Sequence, residues 1–281
     1  MTTASAGTDL GSRPVPIATD RLAGRPDARP PLAHAGLVWT LVRTDFKARY
    51  HGTLGGFLWA LLKPLSMFVV LMGVFSFLFA ANPTYKLDLI VGLFLWDFFA
   101  EGTKNGLTSL HARGYLLTKA RCPMWILVVT SISNAVITLA VFAVVIVAFL
   151  MLAGHPPSLA AVAAFAGYSL VLITIVIGFS LAASVLFLRY RDLNQVWEVV
   201  IQAGFFLAPV IYPLNILPER FHIYLYVWPP TPIVEFSRAT LIRGVLPTGT
   251  AHLYLLVDAV ICLVTGILVF RRFSPRAAEY L

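Results

Sequence analysis

The stretch MWILVVTSISNAVITLAVFAVVIVAFLMLA (124–153) runs without one charged side chain, and LAAVAAFAGYSLVLITIVIGFSLAASVLF (159–187) does the same after a five-residue gap. A helix rises 1.5 Å per residue, so a segment of this length reaches about 45 Å, more than the ~30 Å of a bilayer's hydrocarbon core. Backbone N–H and C=O groups inside lipid must pair within their own segment, so an apolar run of this kind predicts a transmembrane helix. The linker GHPPS (154–158) turns the chain back and makes the two helices antiparallel neighbours.

Outward from this pair, four more stretches read as spans, at about 57–80, 88–105, 196–212 and 252–270. The second of the six carries Asp97 and Glu101, the fifth is short and begins near Glu198, and the sixth carries Asp258. Between the last two lies 213–248, punctuated by Pro213, Pro218, Pro229, Pro230, Pro232 and Pro247. Its apolar pieces, 216–228 and 233–246, are each too short to cross a membrane, and they suggest a re-entrant hairpin. Two further crossings are the alternative. The fold class expected is an all-α polytopic membrane protein with six transmembrane helices.

Composition agrees. Of 281 residues, 59% are apolar and 12% charged, against about 25% charged in a soluble domain. That deficit excludes an ordinary soluble enzyme. The net charge of +8 raises the question of nucleic acid, and the placement of the cations answers it. With the N-terminus inside, sixteen Lys and Arg fall on inner segments and four on outer ones, a positive-inside pattern. Both termini are expected in the cytoplasm, with no role for nucleic acid. The two cysteines, Cys122 and Cys262, form no CxxC, and the scattered histidines give no metal-binding pair. No GxxxxGK[ST] occurs, so any ATP that drives this protein is bound by another chain. The first 30 residues hold no apolar stretch, so no cleavable signal peptide is expected.

The Gly-, Pro- and Ala-rich segment 1–36 reads as a disordered cytoplasmic tail. Over 37–52, Leu37, Val38, Leu41, Val42 and Phe46 recur at helical spacing among Arg43, Lys47 and Arg49. This pattern predicts an amphipathic helix lying in the membrane interface.

Three groups of residues could carry chemistry. Asp97 and Glu101 lie one helical turn apart, and a charge at that depth needs a partner. Counting inward pairs Glu101 with Lys63 between the first two spans. Phe68 and Phe75, with Met72 between them, share a helical face, as do Trp197, Phe205 and Tyr212 in the fifth span. Such stripes are packing surfaces or the lining of a channel along which sugar rings stack. The third group is the inner segment 104–121, whose Leu107, Leu110 and 115–117 are flanked by cations. It reads as a short helix on the cytoplasmic face able to dock a partner, or as a solvated loop.

Four segments together carry a family resemblance: LVRTDFKARYHGTLGGFLWALLKPL (41–65), GLFLWDFFAEGTKNGLTSLHARGYLLTKARCP (92–123), LFLRYRDLNQVWEVVIQAGFFLAPVIYPLNILPERF (186–221) and VFRRFSPRAAEYL (269–281). In order and spacing they resemble the membrane subunits of type-2 ABC exporters, the polysaccharide-exporting members most of all. The resemblance implies a homodimer of six-span subunits in a bacterial inner membrane, bound to two ATP-binding cassette chains that hold ATP and Mg. No cofactor is implied in this chain, nor any enzymatic activity of its own. It implies ATPase contacts through the interface helix and through Leu107, His111, Arg113, Tyr115 and Lys119. It further implies a channel lined by Phe68, Met72, Phe75, Phe205 and Tyr212. Arg43, Lys47 and Arg49 would meet lipid head groups and attract the pyrophosphate of a lipid-linked polysaccharide. The excess of Arg over Lys suggests a GC-rich genome and a galactan, with O-antigen close behind. A drug or lipid exporter of the same type, or a membrane-embedded glycosyl- or acyltransferase, is the alternative.

Overall fold

A computed structural model describes residues 31–50, 55–116 and 122–277. The chain divides into Met1–Leu37 and Val38–Leu281, and the architecture below is that of the second unit. The helices are α1 (Pro31–Tyr50), which belongs to this unit from Val38 onward, α2 (Leu58–Leu78), α3 (Tyr85–Ala112), α4 (Met124–Leu152), α5 (Leu159–Arg189), α6 (Leu193–Leu207), α7 (Glu219–Tyr226), α8 (Pro230–Leu241) and α9 (Gly249–Ala277). No strand occurs among the described residues. The tail expected over 1–36 lies outside the described residues as far as 30, and from Pro31 the chain is already helical.

Among the described residues, four helices are long and apolar enough to cross a membrane: α2, α4, α5 and the 249–275 part of α9. The core is built around α3 and α5. Phe94 of α3 stacks on Phe142 of α4 at 4.2 Å between ring centroids, and both are fully buried. Helices α5 and α9 meet at glycines. A Cβ on Gly266 would sit 2.0 Å from the Gly178 carbonyl oxygen, so the two backbones touch and neither position tolerates a side chain.

Two segments depart from the sequence reading. Helix α6 is shorter than the expected 196–212 span, ending at Leu207. Ala208 precedes Pro209 and takes an extended conformation (φ −70°, ψ 139°), as the pyrrolidine ring demands of the residue before it. At 15 residues α6 is about 22 Å long. The second departure is at 104–112, which forms the closing turns of α3 and no separate docking helix. A further helical turn follows at 114–116, and 117–121, with Lys119, lies outside the described residues. The segment 213–248 folds as a 3-10 turn at Leu214–Ile216 followed by α7 and α8. Pro230, Thr231 and Pro232 start α8 where a missing N–H costs nothing.

Candidate functional site

A cavity of about 730 Å³ opens between α2, α3 and α6. Lys63, Asp97 and Gln202 supply its polar groups, and Trp96, Phe205 and Phe206 supply aromatic surface. Pro64 stands in its wall within α2. Lacking an N–H, Pro64 leaves the Ala60 carbonyl without its helical donor. Behind the cavity Trp96 packs against Phe99, Phe205 and Trp228, with centroids 5.6, 5.9 and 6.5 Å away. Gly204 permits this cluster: a Cβ there would lie 2.7 Å from the Trp228 ring and 3.0 Å from that of Trp96. Trp197 donates through Nε1 to Thr103 Oγ1 at 3.1 Å and stacks on Phe179 at 4.1 Å.

The charges pair differently from the sequence expectation. Glu101 is taken by Arg49 of α1, not by Lys63. Lys63 instead shares the cavity with Asp97. Depth counting within the spans misses this pair because its cation comes from α1, outside them. Lys104 of α3 pairs with Glu198 of α6 at 2.5 Å.

Arg113 ties three elements. It pairs with Asp45 of α1 at 2.5 Å and donates to Thr130 Oγ1 (2.8 Å) and to the Leu127 carbonyl of α4 (3.3 Å). Burial holds the Asp45 carboxyl above its ordinary range, and Arg113 works against that rise.

Several residues expected at the surface are committed elsewhere. Leu107 is buried against Ala183 and Phe187 because α3 continues past it along α5. Arg113 is occupied as a clamp. His111 is exposed and accepts through Nδ1 from Arg191 at 2.6 Å, and Tyr115 is exposed. Of the three interface cations, Arg43 and Lys47 face outward from α1, while Arg49 is held by Glu101.

Of the expected channel residues, Phe205 lines the cavity. Phe68 turns the other way: it is buried edge-on against Phe149 of α4, centroids 5.6 Å apart, and lines no open surface. Met72 and Phe75 follow it onto the core side of α2, half-buried. The open face of α2 carries Leu62, Val69, Val70, Val74 and Phe77. Tyr212 lies beyond the end of α6, where its hydroxyl donates to the Phe206 (3.0 Å) and Leu207 (3.2 Å) carbonyls. Burial raises the Tyr212 phenol above its ordinary pKa.

The sequence reading missed a second polar centre. Arg238 of α8 is 2% exposed. Its Nε donates to the Asp88 carbonyl (2.9 Å), Nη1 to the Pro209 carbonyl (2.5 Å) and to Glu235 Oε1 (2.9 Å), and Nη2 to the Val210 carbonyl (2.9 Å). One guanidinium thus joins α3, the exit of α6 and α8. Gly92 makes room for it: a Cβ there would lie 2.5 Å from Nη2. The available signal was Glu235 and Arg238 at i,i+3 in an otherwise uncharged helix.

These long apolar helices describe a multi-pass membrane protein. Residues 36–242 match the family described as ABC-2 type transporter. The chain is 26% identical over 246 residues to an O-antigen export system permease protein RfbA of Klebsiella pneumoniae, covering 87% of this chain and 95% of that protein. It is 30% identical over 192 residues to the protein of the same name from Myxococcus xanthus, covering 66% and 72%. It is 20% identical over 238 residues to the polysialic acid transport protein KpsM of Escherichia coli, covering 83% and 92%. The chain belongs to the ABC-2 type transporter family, as a membrane permease subunit.

Proposed function

We propose that this chain is the channel-forming membrane subunit of an ATP-driven exporter of a lipid-linked polysaccharide of galactan or O-antigen type. Two copies work with two separate ATPase chains, which bind ATP and Mg. The chain crosses the inner membrane six times, on α2, α3, α4, α5, α6 together with the extended chain that follows it, and α9, with both termini in the cytoplasm. Helix α1 lies in the cytoplasmic interface, and α7 and α8 form a hairpin that enters and leaves from the outer side.

The observation that carries this reading is the cavity between α2, α3 and α6, where Lys63, Asp97 and Gln202 face Trp96, Phe205 and Phe206. Sugar hydroxyls need both donors and acceptors, and the C–H faces of sugar rings pack on aromatic surface. Few fixed charges line the path, so no single position traps a sliding chain. The exposed apolar faces of α2 and α6, with Val70, Phe77, Val199 and Phe206, leave the cavity open on one side. A second copy covers that side and closes the channel. The relatives named for O-antigen and polysialic acid transport support the substrate class.

Force enters through α1 and the end of α3. The Arg113–Asp45, Arg49–Glu101 and Lys104–Glu198 pairs link α1 to α3 and α3 to α6, so a push on α1 reaches a channel wall. Arg43 and Lys47 meet the pyrophosphate head group at the interface.

The test reconstitutes the chain with its ATPase in vesicles carrying labelled glycolipid. Asp97→Asn and Gln202→Ala are expected to slow export at least fivefold while ATP hydrolysis stays within twofold of wild type. Unchanged export in both variants defeats this placement of the channel. ATP-dependent movement of small apolar dyes, with none of glycolipid, favours a drug exporter.

A further inference from the structure

At the end of the bundle that carries the α2–α3 turn lies a second cavity, of about 520 Å³. It is separate from the one between α2 and α6, and none of its lining residues is shared with it. We infer that this cavity is a saccharide-binding subsite of the exporter. This rests on the polysaccharide reading for the source of its ligand, but its own argument is the lining.

The polar lining comes from Asn82, Asp88, His222, Glu235, Arg238 and Arg243. Two carboxylates face two guanidiniums, so the formal charges cancel. A free anion entering here meets Asp88 and Glu235, and a free cation meets Arg238 and Arg243. A neutral polyhydroxyl compound suits both, because each hydroxyl donates once and accepts twice.

The hydrogen-bond capacity left over is of both kinds. Asp88 accepts through Oδ2 from Thr84 (3.1 Å) and Asn82 (3.3 Å), while its buried Oδ1 has no donor among the described residues. Such orphaned oxygens are rare in folded proteins. His222 donates through Nε2 to the Leu214 (3.1 Å) and Leu217 (3.0 Å) carbonyls, which fixes the tautomer and leaves Nδ1 to accept. Arg243 is the loosely held member, about half exposed, reaching Glu235 only at 3.4 and 3.5 Å. Its guanidinium can swing to a ligand at little cost. No Phe, Tyr or Trp is among the described residues that line the space, so recognition here is by hydrogen bonds, in contrast to the cavity between α2 and α6.

The placement gives the subsite a consequence. Its back wall is Arg238, which holds the Pro209 and Val210 carbonyls at the exit of α6. A sugar unit that draws Arg243 away from Glu235 therefore acts on the residue that anchors this exit.

The test uses the complete exporter in nanodiscs. The probe is the oligosaccharide repeat released from the source organism's own surface glycan, with binding read by saturation-transfer NMR. Arg243 is half exposed and His222 holds only the Leu214 and Leu217 carbonyls of the short stretch before α7, so Arg243→Ala with His222→Ala is expected to fold. It is expected to weaken binding about tenfold, the loss of one or two hydrogen bonds to charged or polar partners. Arg243→Lys retains part of the affinity. Equal affinity in wild type and the double variant, or preference for inorganic phosphate or calcium over the oligosaccharide, overturns the inference. Glycolipid export is measured on the same preparation. Export without oligosaccharide binding refutes the subsite and leaves the functional reading standing. Oligosaccharide binding at the cavity without export refutes the functional reading and supports the subsite.

Discussion

Replacing Arg238 by methionine keeps the length of the aliphatic stem and removes every N–H of the guanidinium. Three carbonyls, those of Asp88, Pro209 and Val210, lose a charged donor, and Glu235 loses the nearer of its two cations. The Asp88 carbonyl keeps its helical donor, the Gly92 N–H, whereas the Pro209 and Val210 carbonyls are orphaned at about 1–3 kcal/mol each, about 2–6 kcal/mol together in the absence of water. The adjoining cavity admits water to part of this set, which brings the expected loss to about 3–5 kcal/mol, the range for breaking one side of a buried ion pair. Because the exit of α6 is held mainly through this residue, the loss is concentrated there. In detergent, Arg238→Met should lower the thermal midpoint by roughly 10 °C and speed hydrogen exchange across 210–217. Gly92→Ala tests the same bond from the other side. Its Cβ, 2.5 Å from Nη2, displaces the group that reaches Val210, at about 1–2 kcal/mol. In the Arg238→Met background that cost should nearly vanish. An Arg238→Met protein with a wild-type midpoint and wild-type exchange, or strict additivity in the double variant, refutes the clamp.

Other outcomes follow from single contacts. Gly266→Leu forces a side chain into the Gly178 backbone, and the variant should fail to accumulate in the membrane as folded protein, measured by the monodisperse peak of a fluorescent fusion. Arg113→Ala releases Asp45, Thr130 and Leu127 together, and it should cost about 2–3 kcal/mol and expose α1 to limited proteolysis; an unchanged cleavage pattern counts against the tie. Asp45 has a folded pKa above its ordinary 3.8, so the folded state takes up its proton more readily than the unfolded chain. Its contribution to stability is therefore fully present below that value and declines as pH rises through the raised one. Asp45→Asn should flatten the thermal midpoint across this acid range, and an unaltered slope contradicts the assignment.

Much of the fold was legible because lipid imposes one simple condition, unbroken apolar length, and 124–153 and 159–187 meet it without ambiguity. The stripe through Phe68, Met72 and Phe75 was a true helical face. Periodicity says only that a face exists, however, and the packing of Phe68 against Phe149 turned it toward the core. Tyr212 fell out of its stripe because Pro209 ended α6 first. The partner of Glu101 depended on α1 folding back across 52 positions of sequence, which no local pattern encodes. Arg238 was hardest to see. It stands in a proline-punctuated stretch that counted as outer loop, and its partners are backbone carbonyls that leave no trace in side-chain spacing. Gly92 and Gly204, each needed to let a large side chain approach, are equally silent until the neighbour is known.

Under the proposed function, this permease and a separate ATPase together move a lipid-linked glycan across the membrane. The direct measurement is ATP-dependent appearance of labelled glycolipid on the far side of sealed vesicles containing both chains, read by a glycosidase that cannot cross. Cleavage is expected to require ATP and this chain together, and to fall at least fivefold with Asp97→Asn. Glycolipid that stays protected in the presence of active ATPase contradicts it.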